Sequence, residues 1–220
     1  MTGVVVPAFN AASTIGTLLE KLQACVPDLF CIVVDDGSHD ETARIAAQQR
    51  ATVLRHDVNR GKGAALRTGF ASIRSLTQLP YVITMDADLQ HDPSEIHRFV
   101  AAWNRGEADI VIGSRPRFGA GMPIHRILSN TITSSLVTTR TGVPIADCQS
   151  GFRLMSREVL SAIDIESDGY EAETEFLIKA ARKGYRIGFV PIRTIYGTGQ
   201  SSMTHLKTTR DFLRVLLREY

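Results

Sequence analysis

The chain predicts an α/β fold in which a mostly parallel sheet carries helices on both faces. Three observations predict it. Short apolar runs of strand length recur through the first half: Val4–Val6, Phe30–Val34, Thr52–Arg55, Tyr81–Met85 and Asp109–Gly113. Between them lie segments with apolar residues at helical spacing, joined by short connections, and such alternation suits parallel strands linked by helical crossovers. Several runs end in turns rich in Asp, Asn or Gly, and in an open α/β sheet ligands collect beyond the carboxyl ends of the strands.

Taken in order, Val4–Val6 is a strand that Pro7 stops, and Phe9-Asn10 with the small residues after it makes a turn. Ser13 or Thr14 caps a helix whose apolar face is Ile15, Leu18, Leu19, Leu22 and Val26, and Pro27-Asp28 ends it. Phe30–Val34 closes in Asp35-Asp36-Gly37-Ser38, Asp40 caps a helix over Glu41–Gln49, and Thr52–Arg55 follows. The turn Asn59-Arg60-Gly61-Lys62-Gly63 feeds a helix with Leu66, Phe70, Ile73 and Leu76 on one face. After the Tyr81–Met85 run, Asp92-Pro93-Ser94-Glu95 combines a capping Asp, Pro at the first helical position and Glu three residues after the cap. That helix ends near Arg105-Gly106, before the Asp109–Gly113 strand.

The second half is less regular. Arg115–Gly121 reads as a loop, Ile124–Thr141 as a helix rich in Thr and Ser, and Asp147–Leu154 as loop or strand. Helices over Arg157–Ile163 and Ala172–Arg182, with Gly184 at the latter's end, precede a strand over Tyr185–Pro191. The tail Thr208–Tyr220 reads as an amphipathic helix with Arg210, Arg214 and Arg218 along one face. A single domain over 1–220 is expected, with halves at 1–113 and 114–206 and the tail helix at 207–220.

Hydrophobic residues make up 44% of the 220, ample for a core, and a net charge of +2 is too small to argue for nucleic acid. Cys25, Cys31 and Cys148 lack metal-ligand spacing and read as reduced small hydrophobes in a reducing compartment. Without a basic leader or a long apolar run, the expectation is a cytoplasmic protein, at most peripheral at a membrane face.

The chemistry concentrates at three strand ends: Pro7–Asn10, Asp35–Ser38 and Asp86–Gln90. Each alone is an ordinary turn; their convergence on one edge is the specific observation. Asp86, Asp88 and Gln90 offer a hard cation such as Mg²⁺ or Mn²⁺ two or three oxygen ligands and leave room for a diphosphate and water. Asp35 and Asp36 are acceptors able to read a base or ribose, or simply a tight turn with a helix cap. Gly61-Lys62-Gly63 lacks the full spacing of a phosphate loop; its glycines suit close helix packing with Lys62 facing the site, or a direct contact to phosphate. Arg115, Arg117 and Arg126, beside Ser114, present forks suited to phosphate, or a solvated basic loop. Of Glu171, Glu173 and Glu175, capping explains one or two. The six histidines show no partnered pattern and read as structural or exposed.

In combination these motifs are recognisable. Pro7-Ala8-Phe9-Asn10, Val34-Asp35-Asp36-Gly37-Ser38, Asn59-Arg60-Gly61-Lys62-Gly63, Asp86-Ala87-Asp88-Leu89-Gln90, Gly113-Ser114-Arg115 and Asp147-Cys148-Gln149-Ser150-Gly151-Phe152-Arg153 occur in that order. The set, spanning nearly the whole chain, resembles glycosyltransferase family 2, and most of all its dolichol-phosphate mannose synthase-like branch. The resemblance implies a Rossmann-like GT-A fold and metal-dependent, inverting transfer of a hexose from a nucleotide sugar, of the GDP-mannose or UDP-glucose type, to a polyprenyl or dolichyl phosphate. It implies donor contacts from Pro7, Phe9, Val34, Asp35, Asp36, Lys62, Asp86, Ala87 and Asp88, with Mg²⁺ or Mn²⁺ on Asp86, Asp88 and Gln90. Ser114, Arg115 and Arg126 would bind the acceptor phosphate or the donor pyrophosphate, and Asp88, Arg115, Glu173 and Glu175 would be the catalytic set. Two positions depart from the family: Ala11 stands where Glu is usual, and Tyr196–Ser202 is neutral where basic residues are common. A glycosyltransferase acting on a sugar hydroxyl, and a non-catalytic nucleotide-sugar-binding module, remain alternatives. The basic tail fits a membrane surface, or a helix packed on the domain with a solvated arginine face.

Overall fold

A computed structural model describes residues 1–76, 79–116, 124–193, 195 and 205–220. The first half alternates as its periodicity predicts: β1 (Thr2–Ala8), α1 (Ile15–Cys25), β2 (Leu29–Asp35), α2 (Thr42–Gln48), β3 (Thr52–Arg55), α3 (Lys62–Arg74), β4 (Tyr81–Thr84), α4 (Ile96–Asn104) and β5 (Ile110–Ser114). The second half adds α5 (Ile124–Thr141), β6 (Arg153–Ser156), α6 (Arg157–Ala162), α7 (Ala172–Arg182), β7 (Ile187–Pro191) and α8 (His205–Leu217). Asp92 caps a 3-10 turn, Pro93–Glu95, that leads into α4, its carboxylate accepting from Ser94 N at 3.0 Å.

The strands form one sheet in the order β3-β2-β1-β4-β6-β5-β7. Alternation along each strand divides the core in two. Val5, Ile32, Val34, Val82 and Ile110 meet α3, α5, α6, α7 and α8 on one face. Val4, Val6, Val33, Ile83 and Val111 meet α1, α2 and α4 on the other. Pro7 does not stop β1, which runs on to Ala8. Met85 N donates to Val5 O, so Val5 and, by alternation, Pro7 face β4; the pairing with β4 covers only Gly3–Val5, and no ladder bond is asked of the proline.

Two features of the second half were not legible. Leu154 and its neighbours, read as loop or strand, form β6, which pairs antiparallel with both β4 and β5. Running against its neighbours, β6 begins where β4 and β5 end, so the 147–152 loop arrives at their carboxyl edge. The tail helix starts earlier than expected, at His205, and ends before Arg218. Its Phe212, Val215 and Leu216 are buried in the core, so that side of the helix packs on the domain, while Leu213 and Leu217 stay exposed. Arg210 and Arg214 face solvent beside Asp211, while Arg218 pairs with Glu166.

Candidate functional site at the carboxyl edge of the sheet

The chain turns from one side of the sheet to the other between β1 and β4, and the strand ends flanking that point carry the predicted motifs. Near the end of β1 Pro7 is half-buried, and just beyond the strand Phe9 is exposed, its ring edge-on to His39 at 6.4 Å. Asn10 takes φ +50°, its N–H donating to Ser38 Oγ and its Oδ1 accepting from His39 N, both at 2.9 Å. The β1 and β2 turns are thus tied together. Ala11 is buried in the α1 core, its N–H donating to Thr42 Oγ1.

At the end of β2, Val34, Asp35 and Asp36 are all buried. Asp35 Oδ1 accepts from Ser38 N at 3.0 Å. Its Oδ2 lies 3.2 Å from Arg55 Nε, outside hydrogen-bond geometry, and is a buried acceptor left without a donor. Asp36 differs: Oδ1 meets Arg60 N at 2.9 Å and His56 Nδ1 at 2.7 Å, and Oδ2 meets Gly61 N at 2.8 Å. Its carboxylate organises the next turn, a role that reading the Asp-Asp pair as two equivalent acceptors did not foresee.

That turn explains both glycines around Lys62. Gly61 takes φ +100°, and a Cβ on Gly61 or Gly63 would run into the backbone of Ser167–Asp168. Gly63 N and Ala64 N donate to Asp168 O at 2.7 and 3.2 Å, so a backbone carbonyl, not a phosphate, caps the start of α3. Lys62 projects toward β4, its Nζ 2.6 Å from Asp86 Oδ1 and 3.0 Å from Glu173 Oε1. Burial works against the ammonium, but Asp86 and Glu173 outweigh it and leave its pKa raised.

Asp86 and Asp88 follow β4, with Ala87 buried between them. Burial and then the charge of Asp86 push the Asp88 carboxyl above its usual range. Asp86 itself is held low: burial opposes its ionised form, and Lys62 overrides that. Two carboxylates that disfavour one another's charge are the donor set a divalent cation relieves, so these residues fit one. Among the described residues no cluster of three His, Cys, Asp or Glu forms a ready cage. A cation here therefore needs further oxygens from Gln90, a diphosphate or water. Leu89, at φ +61°, is the one apolar side chain among the four described non-glycine residues with positive φ, and such strain concentrates at functional turns. Across from Asp86 lies Gly151, whose carbonyl accepts from Thr84 Oγ1 at 2.9 Å; a Cβ there would collide with the Asp86 carboxylate.

On the far side, Ser114 ends β5, its carbonyl accepting from Ile192 N. Arg115 donates from Nε and Nη2 to the two carboxylate oxygens of Asp147 at 2.7 and 2.9 Å. Arg126 lies in the first turn of α5, and its side chain, like all of Arg117 and Tyr196–Ser202, is outside the described residues. The glutamates separate. Glu173 joins Lys62 at the site. Glu175 is turned away and fully buried, accepting from Glu166 N and Ser167 N at 2.9 and 2.8 Å and pairing with Lys179 at 2.6 Å. Its expected catalytic place is corrected: spacing of two on a helix puts neighbouring acids on different faces.

Sequence reasoning missed His56, Asp147 and His91. His91 is buried 5.4 Å from the Phe152 ring, its Nδ1 has no hydrogen-bond partner among the described residues, and burial pushes its pKa down to about 4. Asp147 was visible only as part of a motif. No local pattern marks these residues, because what they touch lies elsewhere in the sequence: Asp36 and Thr68 for His56, Arg115 for Asp147 and Phe152 for His91.

The comparisons agree with this architecture. The model of the family described as Glycosyl transferase family 2 matches residues 3–164. An uncharacterized protein of Methanocaldococcus jannaschii, MJ1222, is 38% identical over 88% of this chain and 81% of its own. An undecaprenyl-phosphate mannosyltransferase of Micrococcus luteus is 32% identical over 91% of this chain and 86% of its own. Glucosyl-3-phosphoglycerate synthase of Mycobacterium tuberculosis, solved with Mn²⁺, UDP and glucosyl-3-phosphoglycerate, superposes with a TM-score of 0.78 at 24% identity, covering 99% of this chain and 78% of its own. The fold is GT-A, and the chain is a glycosyltransferase that belongs to family 2.

Proposed function

We propose that the enzyme transfers a hexose, with inversion, from a nucleotide sugar of the GDP-mannose or UDP-glucose type to a polyprenyl or dolichyl phosphate, with Mg²⁺ or Mn²⁺ at the acidic turn. The observation that carries this reading is the Asp86–Asp88 pair at the end of β4, where the charge of one carboxylate raises the other's pKa while Lys62 bridges to Glu173. In this reading Pro7, Phe9, Val34, Asp35 and Asp36 line the nucleoside side, and the orphaned Asp35 Oδ2 is the acceptor offered to a base N–H. Asp86, Asp88 and Gln90 hold the cation, which when bound supplies the positive charge that stabilises a departing nucleoside diphosphate. Lys62 and Glu173 present a donor and an acceptor to the sugar. Ser114, Arg115 and Arg126 are the residues assigned to the acceptor phosphate.

A phosphate acceptor suits the protonation states at this edge. A phosphate oxygen is anionic at neutral pH and needs positioning rather than a general base. Glu173 is paired with Lys62, Asp147 with Arg115, and Asp36 with two amides and His56. The carboxyl raised here, Asp88, is the one assigned to the cation. A lipid acceptor is favoured by relatives named for polyprenyl phosphates and by an exposed apolar stripe on α5, Leu128, Ile132 and Leu136. That stripe also gives a peripheral membrane contact a place; among the described residues no helix is long and apolar enough to cross a membrane.

The test is transfer itself. Nucleotide sugars are screened with Mg²⁺ or Mn²⁺ for thermal stabilisation, and the best donor is assayed with a polyprenyl phosphate. Asp88→Asn is expected to lower turnover by about a hundredfold or more while the protein stays folded. Full turnover in metal-free buffer, or transfer only to sugar hydroxyls, would overturn the proposal.

A further inference from the structure

We propose that His56 is a positioning residue for the donor site, acting through Asp36 on the turn that aims Lys62; the inference rests on the reading above that Lys62 and Asp86 serve the donor. His56 follows β3 and is nearly sealed from solvent, its side chain 6% exposed against 4% for Asp36. It carries no chemistry at the edge of the sheet and is instead the start of a chain of contacts.

The chain can be followed atom by atom. Thr68 Oγ1, on α3, lies 2.9 Å from His56 Nε2, and His56 Nδ1 lies 2.7 Å from Asp36 Oδ1. Asp36 then receives Arg60 N and Gly61 N at 2.9 and 2.8 Å. The residue after Gly61 is Lys62, whose ammonium meets Asp86 and Glu173 at 2.6 and 3.0 Å. The Asp36 carboxylate can only accept, so His56 donates to it from Nδ1, while the Thr68 hydroxyl engages Nε2; both ring nitrogens are held and the orientation of the ring is fixed.

The local backbone makes this brace necessary. Gly61 sits at φ +100°, a conformation open to many alternatives in a glycine. Asp168 O holds Gly63 and Ala64 from the far side of Lys62, while Asp36 holds Arg60 and Gly61 from the near side. Without the imidazole, Asp36 keeps its two amide donors but loses the contact that fixes its rotamer. Its aim on Gly61 then loosens, and with it the direction of the Lys62 stem. Hydrogen-bond partners of metal ligands commonly change metal affinity by about 10–100-fold. His56 acts one step further out, through the turn that carries Lys62, so the lower end of that range is expected.

Three variants separate positioning from simple core packing. His56→Asn keeps an N–H near the Nδ1 position, His56→Ala removes it, and Thr68→Val removes the partner at Nε2 that fixes the ring. Binding of UDP and of GDP is titrated with and without Mn²⁺ by calorimetry, and amide hydrogen exchange is followed at Arg60, Gly61 and Lys62. His56→Ala is expected to weaken Mn²⁺-dependent nucleotide binding by about tenfold and to speed exchange at Arg60 and Gly61 more than across the rest of the sheet. His56→Asn should recover most of both, and Thr68→Val should fall between. If His56→Ala leaves exchange at Arg60 and Gly61 unchanged, or if Asn rescues neither readout, the proposal fails. If neither nucleotide binds the wild-type protein with Mn²⁺, the functional reading fails instead, and the exchange measurement still decides the brace.

Discussion

Arg115 and Asp147 form a two-pronged ion pair, Nε and Nη2 of the arginine meeting the two carboxylate oxygens at 2.7 and 2.9 Å, with the Asp147 side chain fully buried. The pair fastens the end of β5 to the loop that enters β6. The same loop carries Gly151 against Asp86, so the brace on the acceptor side and the limit on the acidic turn belong to one short segment.

Removing the fully buried member of an ion pair is costly, because the desolvated donors around it lose their acceptor. Asp147→Ala is expected to lower unfolding free energy by about 3–5 kcal/mol, read from urea midpoints. A loss under about 1 kcal/mol would mean that solvent reaches the pair.

Gly151 leaves no room for a side chain beside Asp86. Gly151→Ala is expected to displace that carboxylate and weaken Mn²⁺-dependent nucleoside diphosphate binding by about tenfold or more, measured by calorimetry. Its metal-free nucleotide binding should stay close to wild type.

Acid acts on Glu175. Burial raises its pKa, but hydrogen bonds from Lys179, Ser167 and Glu166 outweigh burial and hold the folded carboxyl below its ordinary 4.5. A depressed folded pKa means that the unfolded chain takes up the proton first. The stability it contributes is therefore present above pH 4.5 and is lost as pH falls through the folded value. Glu175→Gln should be less stable than wild type at pH 7, and the gap should narrow below pH 4.5 in thermal melts.

The apolar stripe on α5 has a distinct test. Thr133, Thr139 and Thr141 return their hydroxyls to helix carbonyls four residues back, so much of the helix's polarity is satisfied within it. Replacing Leu128, Ile132 and Leu136 together with Gln should abolish co-sedimentation with anionic vesicles and leave nucleotide binding intact. Sedimentation that persists in this variant and vanishes in Arg210→Ala/Arg214→Ala would move the contact to α8.

How much could be read in advance followed the range of the interactions. The strands from β1 to β5 are marked by local periodicity, and the Asp-Pro-Ser-Glu helix start is a one-turn signal. Lys62 could be aimed at the site because the glycines beside it argued for close packing rather than for phosphate. His56 could not, since its meaning depends on Asp36, twenty positions earlier, and on Thr68 one helix later. Arg153–Ser156 carried no period of its own, and its strand identity came from sitting between β4 and β5. Glu175 looked like Glu173 in sequence, and only the helix axis set them on opposite errands.

The reversed strand β6 also bears on the order in which the molecule is made. Of the two strands that flank β4 in the finished sheet, only β1 exists until residues 153–156 leave the ribosome, and the other edge of β4 stays open until then. Lys62 and Asp86 exist well before Gly151 and Glu173, which complete their surroundings. During synthesis the acidic turn is thus an unfinished half-site beside an unpaired edge, and capture by a chaperone or by another nascent chain competes there with docking of β6.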